Sequence, residues 1–295
     1  MHLTTQCLEC VLQRNLKTAR ALGTEEQAMG LARGLMRTVL EAPAEAGAPW
    51  LGPRIADLFQ SIYGLDPDRF REEKAFSNRF VLERMDAIRE KAASAEDPVY
   101  AALQCAILGN YIDFSALQDQ VDFHQMEHLL EKSGEIALDE ETYKALRCDL
   151  ERGKRLLYVT DNAGEIGFDR ILAEQIARAY PRLEITFCVR GGPAVNDATR
   201  EDAAAVGLPF PVMDNGTRIP GTDLSAVGDE ARNAIREADV ILAKGQGNVE
   251  TLLGCGYNVY YAFLVKCRRF METFHKPMLT PMLIRDEFAK DLGRL

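Results

Sequence analysis

At 295 residues the chain is long enough for about two domains of roughly 150 residues each, or for one large unit with an appendage. Its 47% hydrophobic and 27% charged residues are the proportions of a globular protein and exclude a mainly disordered or collagenous one. With 45 Asp and Glu against 35 Lys and Arg, a net charge of −10, a broad nucleic-acid surface is excluded and only a local basic pocket remains.

The start, Met1 to Cys7, has neither a basic n-region nor an apolar h-region, so no secretory signal is expected there. Residues 1–152 then carry helical periodicity almost throughout and are expected to form an all-helical N-terminal region. Thr24 followed by Glu25, Glu26 and Gln27 has the form of a capping box opening a helix to Leu40. Pro43 to Pro53 reads as a loop containing Trp50, followed by a helix to Tyr63. Asp66-Pro67 restarts the chain, and Phe70, Phe76, Phe80, Leu82, Met85 and Ile88 fall at mostly three- and four-residue steps up to Lys91. Further helices are expected over 98–108, 122–132 and 142–152.

From Arg155 the pattern changes. Short apolar runs at 156–159, 185–189, 240–243 and 259–265 read as buried strands, with 210–213 as a further one. Helical patterns at 167–180, 199–206 and 229–237 lie between them. The expected fold is therefore α/β: residues 153–295 form a Rossmann-like three-layer α/β/α domain with a mostly parallel sheet, and the helical region packs directly on it. The longest apolar run, Val259 to Val265, is seven residues and ends at Lys266, short of the roughly 18 needed to span a bilayer. Seven scattered cysteines, an odd number, fit reduced thiols, so a cytoplasmic protein without membrane or nucleic-acid partners is expected; the sequence does not fix its oligomeric state.

Open α/β sheets bind ligands beyond the carboxyl ends of their strands. The segments just past the strands are all polar: Thr160-Asp161-Asn162-Ala163-Gly164-Glu165, then the stretch from Arg190 to Asn196-Asp197, then Lys244-Gly245-Gln246-Gly247-Asn248, then Lys266. Asp161, Asn162 and Asp197 are hard oxygen donors, a plausible partial shell for Mg²⁺ or Mn²⁺ that water and substrate would complete. The plainer account is that each pair caps the following helix; two such pairs after successive strands favour a site. Gly245 and Gly247 would let backbone N–H groups approach an anion beside Lys244, as a phosphate cradle, although a functionless glycine turn has the same look. It is not a Walker loop, and no dinucleotide fingerprint follows the first strand.

Haloacid-dehalogenase chemistry would need a second Asp where Ala163 stands, so a metal-activated water is the better nucleophile. Glu165 could act as a base or as a water-mediated ligand, and Asp169, four residues on, could share its helix face or simply favour the helix dipole. Asn110 and Asp113 form a small polar cluster ending an apolar helix, able to fold over the rim. Cys7-x-x-Cys10 lacks a second pair at ligand spacing, and His124 and His128 read as surface residues.

Taken together, Cys7-x-x-Cys10, Gly109-Asn110-x-x-Asp113, Asp161-Asn162-x-Gly164-Glu165, Asn196-Asp197-x-Thr199 and Lys244-Gly245-x-Gly247-Asn248 resemble the metal-dependent damage-control phosphatases, once catalogued as domain of unknown function 89. The Cys pair is similar to the stand-alone microbial branch. The resemblance implies hydrolysis of phosphate monoesters of sugar phosphates and related metabolites with one divalent cation, Mn²⁺, Mg²⁺, Co²⁺ or Ni²⁺. It places the metal ligands on Asp161, Asn162 and Asp197, and the phosphate-binding lysine on Lys244. Gly245, Gly247, Asn248, Asn110, Asp113, Asn196 and Lys266 are the remaining candidates for the substrate side, and Glu165 or Asp113 for orienting the water. A transferase dependent on S-adenosylmethionine or a nucleotide, and a non-catalytic metal or metabolite carrier, are the rival readings of such a sheet.

Overall fold

The computed structural model describes residues 1–113 and 122–290. Among these, eight α-helices precede the first strand: α1 (Thr5–Leu22), α2 (Glu25–Leu40), α3 (Gly52–Tyr63), α4 (Arg71–Leu82), α5 (Met85–Ala93), α6 (Pro98–Gly109), α7 (Phe123–Glu131) and α8 (Glu140–Arg152). Their starts reflect local chemistry. Thr24 and Gln27 form the reciprocal capping box at α2, and Asp97 accepts from the Tyr100 amide at 3.1 Å with Pro98 in the first turn of α6. Two expectations are corrected. The loop at Pro43 to Pro53 contains a 3₁₀ turn, Ala48–Leu51, and the 66–91 stretch is two helices, because the backbone breaks at Glu83-Arg84.

The rest alternates: β1 (Arg155–Val159), α9 (Glu165–Ala179), β2 (Glu184–Val189), α10 (Arg200–Ala205), β3 (Val212–Asp214), α11 (Asp229–Glu237), β4 (Val240–Lys244), α12 (Gly245–Leu252), β5 (Val259–Leu264), α13 (Arg268–Phe274) and β6 (Pro281–Arg285). The sheet order is β3-β2-β1-β4-β5-β6, parallel except for β6, which runs antiparallel to β5. Strand order reverses between β1 and β4, so the connections leave in opposite directions and open a crevice at the carboxyl ends of those two strands.

Strand parity divides the core. Leu156, Tyr158, Phe187, Val240, Leu242 and Leu264 face a layer made by α9 and the helices from α4 to α8; Leu157, Val159, Ile241, Ala243 and Phe263 face α11, α12 and α13. Burial on both sides explains the unbroken apolar runs, and each such side chain contributes about 1.5–3 kcal/mol. Close approach of α6 to α9 requires a glycine: a Cβ on Gly109 would lie 2.6 Å from the Phe168 ring. Helices α1 to α3 bury a separate cluster that includes Val11, Leu31, Leu35, Ile55 and Phe59. Among the described residues, no helix is long and apolar enough to cross a membrane.

Candidate active site

Asp161 and Asn162 leave the end of β1 and meet the loop after β2. Asn162 and Asp197 form an isolated antiparallel bridge, flanked by hydrogen bonds from the Ala198 amide to the Asp161 carbonyl (2.7 Å) and from the Ala163 amide to the Asn196 carbonyl (2.8 Å). Main-chain bonds therefore hold the two loops together. Asp161 Oδ2 accepts from Asn110 Nδ2 at 2.9 Å and from Asn162 Nδ2 at 2.8 Å, which fixes the carboxylate plane. Arg190, the first residue after β2, donates Nε to Asp197 Oδ2 at 2.6 Å and Nη2 to the Thr160 carbonyl at 3.0 Å; its Nη2 also lies 4.0 Å from Asp161 Oδ1.

Gly245, the first residue of α12, makes this possible on the β4 side. It has φ +78°, and a Cβ there would lie 1.8 Å from Asp161 Oδ2, so the carboxylate occupies the space a side chain would fill. The α12 N-terminus thus abuts a carboxylate, its favoured partner. The expected phosphate cradle of Gly245 and Gly247 is in fact this first helical turn.

Lys244 departs from expectation. It is fully buried and donates to Glu165 Oε1, Asp169 Oδ1 and the Ala106 carbonyl, each at 2.8 Å. An ammonium has three donors, so none is left for a phosphate, and direct phosphate binding by Lys244 is corrected to a supporting role. Burial opposes its charge, but Asp169 and Glu165 raise its pKa above the ordinary lysine value. Asp169, in turn, is pushed up to about 7 by burial against the pull of Lys244, and also accepts from Tyr158 Oη at 2.8 Å.

Glu165 is also fully buried. Its Oε1 is taken by Lys244, and its Oε2 accepts from Asn162 Nδ2 (2.7 Å) and Asn110 Nδ2 (2.9 Å). No oxygen of Glu165 is placed to activate or orient a water, so it holds the two amides instead. Asn248 is likewise internal: Nδ2 donates to the Thr160 and Lys244 carbonyls and Oδ1 accepts from Thr222 Oγ1. Asn196 is buried too, with Nδ2 on the Ile112 carbonyl at 3.1 Å. Lys266 differs from Lys244. Its side chain makes one hydrogen bond, to Asp113 Oδ2 at 2.6 Å, while its backbone N–H is held by Gln246 Oε1.

Charge is concentrated here. Burial, then the carboxylates of Asp197 and Glu165, push Asp161 well above the ordinary range, with Lys266 pulling it down and Asp113 adding to the rise. Burial raises Asp197 against the pull of Arg190. Crowded buried carboxylates favour a bound cation, and Asp161 Oδ1 and Asn162 Oδ1 take no hydrogen bond among the described residues. The residues fit a hard divalent ion. Among the described residues no three His, Cys, Asp or Glu side chains gather at metal-ligand spacing; the oxygen donors at this place are the carboxylates of Asp161 and Asp197 and the Asn162 amide.

The family profile of the damage-control phosphatase ARMT1-like domain matches residues 3–278. The chain belongs to this family. A damage-control phosphatase of Pyrococcus horikoshii is 32% identical over 295 residues, covering 98% of this chain and 99% of that protein. An uncharacterized protein of Methanocaldococcus jannaschii is 30% identical, covering 90% of each chain. The crystal structure of a DUF89 family protein from Pyrococcus horikoshii superposes with a TM-score of 0.79 at 28% identity, covering 97% of this chain and 99% of that one. This damage-control phosphatase family member therefore shares both fold and length with its relatives.

In the sequence Arg190 stands out only by its place, the first polar residue past an apolar strand, and that place is the signal that finds it. Cys7 and Cys10 lie on α1, away from the Asp161–Asp197 pair in the hydrogen-bond network; Cys7 Sγ accepts from Arg269 Nη1 at 3.5 Å and Cys10 is exposed. His124 and His128 are on α7, with His128 partnered to Glu131 and His124 to Glu127 across one turn of an exposed face.

Proposed function

We propose that the protein is a metal-dependent phosphomonoesterase acting on small phosphorylated metabolites such as sugar phosphates. The observation that carries this reading is the backbone-locked meeting of Asp161, Asn162 and Asp197 at the strand-order reversal, with Lys266 beside them. Asp161, Asn162 and Asp197 would hold a divalent ion, Mn²⁺, Mg²⁺, Co²⁺ or Ni²⁺, which when bound would supply charge neutralisation for phosphate and a lowered pKa for water. Asn162 contributes an oxygen without a negative charge that would repel phosphate. Lys266 has two ammonium protons beyond its bond to Asp113, and these take the phosphate-facing role that the sequence suggests for Lys244. Of the two carboxylates considered for orienting water, Asp113 keeps a small exposed edge and Glu165 has none. Arg190 and Asn110 position Asp197 and Asp161. The Lys244–Glu165–Asp169 cluster supports the floor.

A screen of phosphorylated metabolites with each divalent ion and with chelator tests this. Phosphate release is expected to need a metal and to fall at least 100-fold in Asp161→Ala; metal-dependent release at the wild-type rate in that variant would overturn the assignment.

A further inference from the structure

A cavity of about 710 Å³ lies between α1, α3, the chain leading into α4, and the rim loops of the sheet. Its rim-side wall is made by Pro193, Ala194 and Val195 and by Pro220. Both segments run directly into the site. The Ala194 carbonyl accepts the Asp197 amide at 2.9 Å, and Gly221, next to Pro220, directs its amide at the Asp197 carboxylate. On the phosphatase reading, these loops separate the Asp161–Asp197 pair from the cavity, and a substrate held at that pair would reach the cavity by passing over them.

The opposite wall gathers three cations, Arg14, Lys17 and Arg69, beside two carboxylates, Asp66 and Glu73, in a chain whose net charge is −10. Arg69 stacks its guanidinium over the Phe59 and Phe70 rings at 4.9 and 5.1 Å and makes no hydrogen bond or ion pair among the described residues. Burial, then the neighbouring Arg14, lowers its pKa from the ordinary arginine value, with the Glu73 carboxylate a weaker opposing influence, so like charges are held together at the cavity. Lys17, on the same wall, is exposed and also lacks a hydrogen-bonded or ion-pair partner among the described residues. A partly desolvated guanidinium such as Arg69 without a paired counter-ion is costly, and an anion held between it and the exposed Lys17 ammonium recovers that cost.

We propose that the substrate is a phosphomonoester carrying a second anionic group, a carboxylate or a second phosphate, which this cavity receives at Arg69 and Lys17 while the connecting ring or chain lies against Phe59 and Phe70. This rests on the phosphatase reading above and adds the class of substrate. No covalent step beyond phosphate-ester hydrolysis is involved.

The test compares kcat/KM of the Mn²⁺-supplied protein for a hexose monophosphate, a hexose bisphosphate and a phosphorylated sugar acid, in the wild type, Arg69→Gln, Arg69→Lys and Lys17→Gln. A preference for the two doubly anionic substrates of at least tenfold, carried mainly by KM, is expected in the wild type. The ratio should fall below threefold in Arg69→Gln, fall partly in Lys17→Gln, and recover in Arg69→Lys. No preference in the wild type, or an unchanged ratio in Arg69→Gln with its melting temperature preserved, overturns the proposal. If the wild type hydrolyses none of them, the phosphatase reading fails, and calorimetry then decides the cavity by itself: tighter binding of the bisphosphate that is lost in Arg69→Gln supports the anion site, and equal binding refutes it.

Discussion

Replacing Lys244 with Met separates an internal lysine from a phosphate ligand. In Lys244→Met, Glu165 and Asp169 keep their carboxyl groups in a fully buried setting but lose their countercharge, and the Ala106 carbonyl loses its donor. Removing one member of a buried ion pair costs about 3–5 kcal/mol, and with two carboxylates stranded the upper end applies. For a chain of this size that corresponds to a melting temperature about 5–8 °C lower. Thermal and urea denaturation of wild type and variant read this directly. Because burial already raises Asp169 to about 7 against the pull of Lys244, and the variant removes that pull, acidifying to pH 5 favours the neutral Asp169 carboxyl, and the gap between variant and wild type should narrow. Adding Glu165→Gln and Asp169→Asn to the variant should recover part of the loss. If Lys244→Met melts within about 1 kcal/mol of wild type and raises KM alone, the lysine reaches substrate and the internal assignment is wrong.

Gly245→Ala places a methyl group 1.8 Å from Asp161 Oδ2 at a φ of +78°. Backbone strain of about 1–3 kcal/mol is expected, with Mn²⁺ affinity weakened roughly 10–100-fold as Asp161 is displaced; unchanged calorimetric titrations would show that the contact is not required. Burial raises Glu250 to about 7 against Arg269 and the N-terminal ammonium, and one of its oxygens has no partner among the described residues. The folded state thus keeps a proton that the unfolded state releases near about pH 4.3, so this group's contribution is full below that value and lost as pH rises through about 7. Glu250→Gln should therefore gain on wild type in melting scans between pH 5 and pH 8, and parallel curves would contradict the shift.

The central strands were readable because a parallel sheet covered on both faces writes itself as apolar runs such as Val259 to Val265. The edge strand β6 was not: it is five residues long, begins with Pro281 and ends with Arg285, and its partner runs antiparallel, so no β-α-β rhythm announces it. The position rule for α/β sheets located the loops that meet at the site, but not the direction of each side chain. Lys244 and Lys266 both come after apolar strand residues. Parity does not tell them apart, since Lys244 is in step with Leu242 and Lys266 with Leu264 on the same face; Lys244 still lies inside β4 and points under α6 and α9 toward Ala106 and Asp169, whereas Lys266 lies past the end of β5 and reaches Asp113. The positioning roles of Arg190 and Asn110 were hidden for a different reason, since they are set by partners 7 to 154 residues away, which spacing along the chain does not encode.

The pairing of Asn162 with Asp197 through the main chain has one more effect. Mutual repulsion among the acids at the crevice is built in as soon as β1 and β2 assemble, since the peptide backbone, not the visiting ion, dictates their proximity. The fold thereby stores electrostatic tension in the crevice, and under the proposed metal role an arriving cation would discharge it without having to recruit its ligands one by one.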